Sequence, residues 1–229
     1  MATNRSLLSF DTGVWDRAGS DVMGRRSFLG VVSGLTLWGL GINAALAYWA
    51  MQTGFQPSFW AMIALMALPF AGVLISNFTK SLAGGLLGYH LILIPFGLML
   101  GPILNAYTRA GAGSIVSQAL ILTGCTTGVM TLLGLSYPNL FAKLGGVLFG
   151  GLIALLILRL IGMFVPSIGN AGWIDWLAAG IFTLYIGYDW YRAMSLPATG
   201  RNAVDVAISL YLDIINLFLT ILRLLGRRD

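Results

Sequence analysis

The sequence predicts an all-α, polytopic membrane protein. Hydrophobic residues make up 58% of its 229 residues and charged residues only 9%, whereas an average soluble domain has about 25% charged residues. The hydrophobic residues also fall in long runs, and one helical crossing of a bilayer needs about 20 mostly apolar residues. We therefore predict a cytoplasmic N-terminal tail, residues 1–26, followed by one transmembrane domain, residues 27–229.

Seven runs are long enough to cross a bilayer. In chain order they cover residues 27–50, 58–78, 83–104, 114–135, 143–165, 172–193 and 204–225. The first run is too long for a signal-peptide core and no small-residue cleavage site follows it, so we predict an uncleaved span. Three glycine pairs have the spacing that lets helices approach closely, namely Gly30 and Gly34, Gly84 and Gly88, and Gly146 and Gly150.

Basic residues are unevenly divided between the two ends of the predicted bundle. The four arginines of the tail fall on the same side as Lys80, Lys143, Arg192 and Arg201. Short cytoplasmic loops carry an excess of Lys and Arg, which predicts a cytoplasmic N terminus. Seven crossings then place Arg223, Arg227 and Arg228 outside, against this rule. The last segment either crosses fully, which its length favours, or forms a re-entrant hairpin.

The last two runs each hold one aspartate among apolar residues, Asp189 in IGYDWY and Asp213 in LYLDIIN. A carboxylate inside a span costs about 2.5–3.5 kcal/mol on insertion scales, so it usually faces the bundle interior and has a partner. A short polar turn returns the chain to the same side, which brings the two acids to similar depths. Two close carboxylates in a low dielectric cannot both ionise cheaply, so we expect them to share a proton as a pH-sensitive latch.

The same stretch carries a family resemblance. YIGYD, followed after the turn by ISLYLDIINLFLTILRLLG, resembles the C-terminal signature of the Bax inhibitor-1-like family, also called the transmembrane Bax-inhibitor-motif family. PILNAY followed by GAGSIVSQALILTGCTTGVMTLLG is similar to that family's third and fourth spans. The resemblance implies a seven-helix bundle with the last helix central and a pH-sensitive calcium leak controlled by a di-aspartyl pair. At the matching positions that pair is Asp189 and Asp213.

Three other polar residues are candidates for supporting the pair. Family members often carry an arginine near the cytoplasmic end of the second span that bonds to the pair. Here SNFTKSL holds Lys80 instead, a point charge without the bidentate fork of arginine. Asn216 lies one turn beyond Asp213 and can bond the pair or a neighbouring carbonyl. His90 can relay protons, although a neutral, hydrogen-bonded histidine is favoured.

Arg159 and Asp175 lie near the outer ends of the fifth and sixth spans. Side chains at these positions can pair across the bundle or extend to the lipid headgroups. We favour extension to the headgroups, because long basic side chains near helix ends commonly reach the interface in this way.

Three classes of function fit these residues. The favoured class is a pH-gated calcium or cation leak, in which the aspartates contact Ca²⁺ transiently, because Ca²⁺ takes oxygen ligands. The second is an integral-membrane regulator or scaffold of a membrane protease or another membrane protein, in which the acids are a structural pair. The third, an intramembrane aspartyl protease, is disfavoured. Tyr188 and Asp189 give the YD of such enzymes, but the second span lacks the GxGD motif.

The remaining expectations concern partners and location. We expect no enzyme activity and no cofactor beyond transient Ca²⁺. The formal charge of +5 is spread over tails and loops, so it favours orientation in the bilayer over nucleic-acid binding. Short tails and the lack of an organelle retrieval signal favour a bacterial inner membrane.

Overall fold

The computed structural model describes residues 22–227, which excludes most of the predicted tail. Within that range the chain forms seven long helices and two short ones. They are α1 (Arg25–Thr53), α2 (Phe59–Phe78), α3 (Leu82–Arg109), α4 (Gly113–Ser136), α5 (Pro138–Phe141), α6 (Gly145–Phe164), α7 (Pro166–Gly169), α8 (Gly172–Ser195) and α9 (Gly200–Gly226). The predicted all-α class is confirmed, and each predicted span corresponds to one long helix.

Six of the described helices are long and apolar enough to cross a membrane, and α8 is the long helix outside this set. The buried charges of α8, Asp175 and Asp189, lower its hydropathy. The last helix, α9, runs unbroken for 27 residues, which is about 40 Å at 1.5 Å per residue and exceeds the roughly 30 Å hydrocarbon core. The last segment is therefore one continuous helix and does not form the re-entrant hairpin that was the alternative.

The last helix lies at the centre of the bundle. It packs against α1, α3, α4 and α8, and half of its most apolar stretch is buried, compared with 11% for α6. Leu210 and Leu217 join a hydrophobic core shared with α8, while Tyr211 and Phe218 join a second core shared with α3. The central last helix implied by the resemblance is thus confirmed.

Contacts at the beginning of α1 define one end of the bundle, here called the α1 end. The Arg25 Nη1 atom donates to the carbonyl oxygens of Ala193, at 2.7 Å, and Leu196, at 2.8 Å, which lie at the end of α8. The Met23 N–H donates to the Ala198 carbonyl in the α8–α9 turn. The opposite end, where α9 finishes, is called the α9 end. Because α8 and α9 are antiparallel, Asp175 lies toward the α9 end.

Close helix packing involves only some of the glycines that the sequence spacing identifies. A Cβ atom on Gly88 in α3 would lie 2.6 Å from the carbonyl oxygen of Gly72 in α2, so these two helices approach closely. Around four of the six paired glycines, an added Cβ would meet nothing within 4 Å, namely at Gly30, Gly34, Gly146 and Gly150. Small-residue spacing makes close approach possible, but it does not show whether a neighbour lies on that face.

Candidate functional site

The structure brings Asp189 of α8 and Asp213 of α9 together inside the bundle. Both side chains are buried, and their carboxyl groups lie within hydrogen-bonding reach of each other. The α8–α9 turn supports this arrangement, because the Thr199 hydroxyl accepts from the Asn202 N–H and begins α9 directly after the turn. A hydrogen bond between two carboxyl groups requires one proton, so the arrangement can hold a shared proton.

Arg192, one turn after Asp189 on α8, supplies a positive charge to this pair. Its Nη1 atom donates to Asp189 Oδ1 at 3.0 Å and to the Ser209 hydroxyl of α9 at 3.1 Å. The other oxygen, Asp189 Oδ2, is buried and receives no N–H or hydroxyl bond within the described residues. The neighbouring Asp213 carboxyl, when protonated, can donate to the Asp189 carboxylate. One arginine, one carboxylate and one carboxylic acid then give a neutral buried group.

The structure does not bring the other three candidates to the pair. Lys80 is exposed after the end of α2, and the ion pair of Asp189 is made by Arg192 instead. His90 accepts a hydrogen bond from Trp38 Nε1 at 3.3 Å and bonds through Nδ1 to a carbonyl of its own helix. Asn216 likewise donates to a carbonyl one turn back on α9.

A second buried ion pair lies at the α1 end, and sequence reasoning missed it. Arg201 Nη1 donates to Asp205 Oδ1 at 2.7 Å, one turn along α9. The same guanidinium donates to the Ser76 carbonyl, to the Ser76 hydroxyl at 3.1 Å, and to the Thr79 carbonyl at 3.3 Å. These carbonyls lie at the C-terminal end of α2, so Arg201 joins α2 to α9. The i,i+4 spacing of Arg201 and Asp205 was the feature of the sequence from which this ion pair could have been predicted.

A third charged group lies near the α9 end and corrects one expectation. Asp175 is completely buried, and its carboxylate forms ion pairs with Arg159 of α6, with Arg223 at 3.2 Å and with Arg227 at 3.0 Å. The preference for Arg159 and Asp175 extending separately to the headgroups was therefore wrong. Burial of Asp175 explains the difference, since an unpaired buried carboxylate is far more costly than a paired one.

The charged groups offer few ligands to a resident metal. Among residues 22–227, no three His, Cys, Asp or Glu side chains cluster as a metal site. Ca²⁺ takes six to eight oxygen ligands, and the di-aspartyl pair provides two carboxyl groups. A crevice of about 630 Å³ between α1, α3, α4 and α9 is lined mainly by apolar residues together with Asn43, Thr123 and Thr127, and neither Asp189 nor Asp213 lines it.

These features define a class of protein. It is an integral membrane protein whose central last helix carries a buried carboxyl group against a second one on the preceding helix. Residues 25–229 match the family described as "Inhibitor of apoptosis-promoting Bax1". The chain belongs to this Bax inhibitor-1 family, which confirms the resemblance.

Individual relatives agree with this family. An "Uncharacterized membrane protein" of Vibrio cholerae is 34% identical over 170 residues, which cover 71% of this chain and 73% of that protein. A "BI1-like protein" of Arabidopsis thaliana is 38% identical over 128 residues, 51% of this chain and 47% of that protein. A Helicobacter pylori "Uncharacterized protein" is 35% identical over 131 residues, 57% of this chain. That match spans only 56% of the Helicobacter protein's own length.

Proposed function

We propose that this protein is a pH-sensitive leak for Ca²⁺ or other cations, gated by Asp189 and Asp213. The observation that carries the proposal is a buried pair of carboxyl groups between α8 and the central helix α9, with Arg192 as its cation. Acidic residues inside a membrane bundle commonly mark ion pathways and proton relays. No chemical step is required of the protein in this role.

The charge balance of the pair explains how pH can gate it. Arg192 neutralises Asp189, so the group is neutral when Asp213 holds a proton. Loss of that proton puts two negative charges in contact, which costs about 4 kcal/mol for unit charges 4 Å apart at an effective dielectric of about 20. The repulsion separates α8 from α9 and attracts a cation. Protonation of Asp189 instead neutralises its carboxylate, so Arg192 loses its ion-pair partner. The singly protonated pair is therefore the closed state, and flux rises at both lower and higher pH.

The proposed setting is a bacterial inner membrane with the N terminus in the cytoplasm. Arg25, Arg192 and Arg201 lie at the α1 end, and such an excess is typical of the cytoplasmic side. Arg223 and Arg227, which this orientation places outside, are bound to Asp175. Bacterial relatives named as membrane proteins also support this location.

The test is Ca²⁺ flux into proteoliposomes loaded with a calcium-sensitive dye, measured across a pH series. We expect Asp213→Asn to remove the rise in flux at high pH while leaving the rise at low pH, because asparagine cannot ionise and Asp189 can still lose its charge. Asp189→Asn should remove the low-pH rise. His90→Gln is the control, since it removes a titratable side chain whose hydrogen bonds go to Trp38 and its own helix.

Flux that keeps its full pH dependence in both aspartate variants would refute the leak proposal. The alternative is an integral-membrane regulator or scaffold of a membrane protease or partner protein, with no transport activity of its own. In that case the aspartate variants would lower the thermal stability of the protein, because Asp189 and Asp213 join α8 to α9, while the liposomes would show no flux at any pH.

A further inference from the structure

Three arginines converge on one carboxylate near the α9 end of the bundle. We propose that this arginine cluster, formed by Arg159, Arg223 and Arg227 around Asp175, binds the phosphate of an anionic phospholipid headgroup. The proposal is independent of the leak activity, because it concerns the end of α8 opposite to Asp189.

Charge balance is the first argument. Asp175 supplies one negative charge to three positive ones, and no other acidic side chain within residues 22–227 forms an ion pair with the cluster. The first turn of α8, where Asp175 lies, adds a partial positive charge, and the last turn of α9, where Arg223 lies, adds a partial negative one, so the helix ends leave the surplus charge of the arginines in place. Surplus positive charge at the edge of a low-dielectric region is costly without a counter-ion. The cluster therefore has the electrostatic character of an anion site.

The second argument is the orientation of the donors. Asp175 is 0% exposed, while the side chains of Arg159, Arg223 and Arg227 are 34%, 42% and 34% exposed. The three guanidinium groups thus contact a fully buried aspartate, while each arginine side chain is still partly exposed at the surface. Each guanidinium has five N–H donors, more than Asp175 and its neighbours accept. The planar fork of arginine matches phosphate oxygens in pairs.

Two further hydrogen bonds hold the cluster in place before any ligand arrives. Arg227 Nη1 donates to the Asn170 carbonyl at 2.6 Å, just before α8. Arg223 Nη2 donates to the Thr220 hydroxyl at 3.3 Å on its own helix. Side chains that are already oriented lose less conformational freedom on binding, which favours affinity.

The surroundings of the cluster select a lipid as the source of the phosphate. The cluster joins the beginning of α8 to the last turn of α9, and the ends of spanning helices lie near the lipid headgroups. Trp173 and Trp176, in the first turns of α8, are exposed, and tryptophan is enriched at this interface. Leu156 and Leu160, close to Arg159 on α6, are exposed apolar side chains. A phosphate bound here would have apolar surface directly beneath it for the acyl chains.

The experiment is native mass spectrometry of the full chain in detergent, titrated separately with phosphatidylglycerol, phosphatidylcholine and inorganic phosphate. We expect phosphatidylglycerol to bind more tightly than phosphatidylcholine. Arg159→Gln should weaken phosphatidylglycerol binding by about tenfold or more, the usual effect of losing a charge-assisted hydrogen bond. The control is Arg109→Gln, which removes an equal charge from the exposed end of α3. Tyr107 of α3 bonds to the Leu222 carbonyl of α9, so this control lies at the same end.

Arg227→Lys keeps the charge and removes the fork, so it tests the site without unpairing Asp175. It should weaken binding less than Arg159→Gln and leave the melting temperature nearly unchanged. Equal losses in Arg109→Gln and Arg159→Gln would mean nonspecific attraction and would overturn the proposal. So would equal binding of the two lipids. Displacement of phosphatidylglycerol by an equal concentration of inorganic phosphate would show that the site takes a soluble anion instead of a lipid.

Discussion

Replacing Arg201 with methionine tests the buried contact between α2 and α9. The change leaves Asp205 buried without its cation and removes the donor to the Ser76 carbonyl. At 2.7 Å and an effective dielectric of about 20, the Coulomb attraction alone is about 6 kcal/mol. Desolvation offsets part of this, and removing one partner of a buried ion pair costs about 3–5 kcal/mol. At roughly 2–4 °C per kcal/mol for a chain of this size, the melting temperature should fall by about 6–20 °C.

The assay is tryptophan fluorescence during heating of the protein in detergent. Lys80→Met is the matched control, because it removes an exposed cation from the same end of the bundle and should change stability by less than about 0.5 kcal/mol. The double variant Arg201→Met, Asp205→Leu should recover much of the loss, since no buried charge is then left unpaired. A single Arg201→Met variant that melts within about 2 °C of the parent would refute this reasoning.

Two further substitutions test packing and hydrogen bonding. In Gly134→Ala, the new Cβ would lie 2.7 Å from the Trp190 Cβ, so α4 and α8 should separate at a cost of about 1–3 kcal/mol. The control is Gly124→Ala on the same helix, where the added Cβ would have no neighbouring atom within 4 Å. Equal melting temperatures for the two variants would contradict this packing. Tyr211→Phe removes a 2.8 Å hydrogen bond to Asn43 Oδ1. It should lower unfolding free energy by about 1–3 kcal/mol, and an unchanged melting temperature would argue against that bond.

The sequence by itself determined the number and position of the long helices. Each crossing needs about 20 apolar residues, and each helix satisfies its own backbone hydrogen bonds, so run length alone predicts a span. The meeting of Asp189 and Asp213 was also predictable, because a short turn joins their helices and an acid inside a span requires a partner. Both inferences use local information, or information from neighbouring segments.

The tertiary structure decided which cations meet which acids. Lys80 was the candidate cation for the di-aspartyl pair, yet the ion pair with Asp189 is made by Arg192 of α8. Arg201 donates a hydrogen bond to Ser76 of α2, 125 positions earlier in the sequence. Asp175 forms ion pairs with Arg159 and Arg223, which lie on two other helices. The rotation of each helix and the identity of its neighbours decide these contacts. They depend on packing of the whole bundle, which hydrophobic run length does not encode.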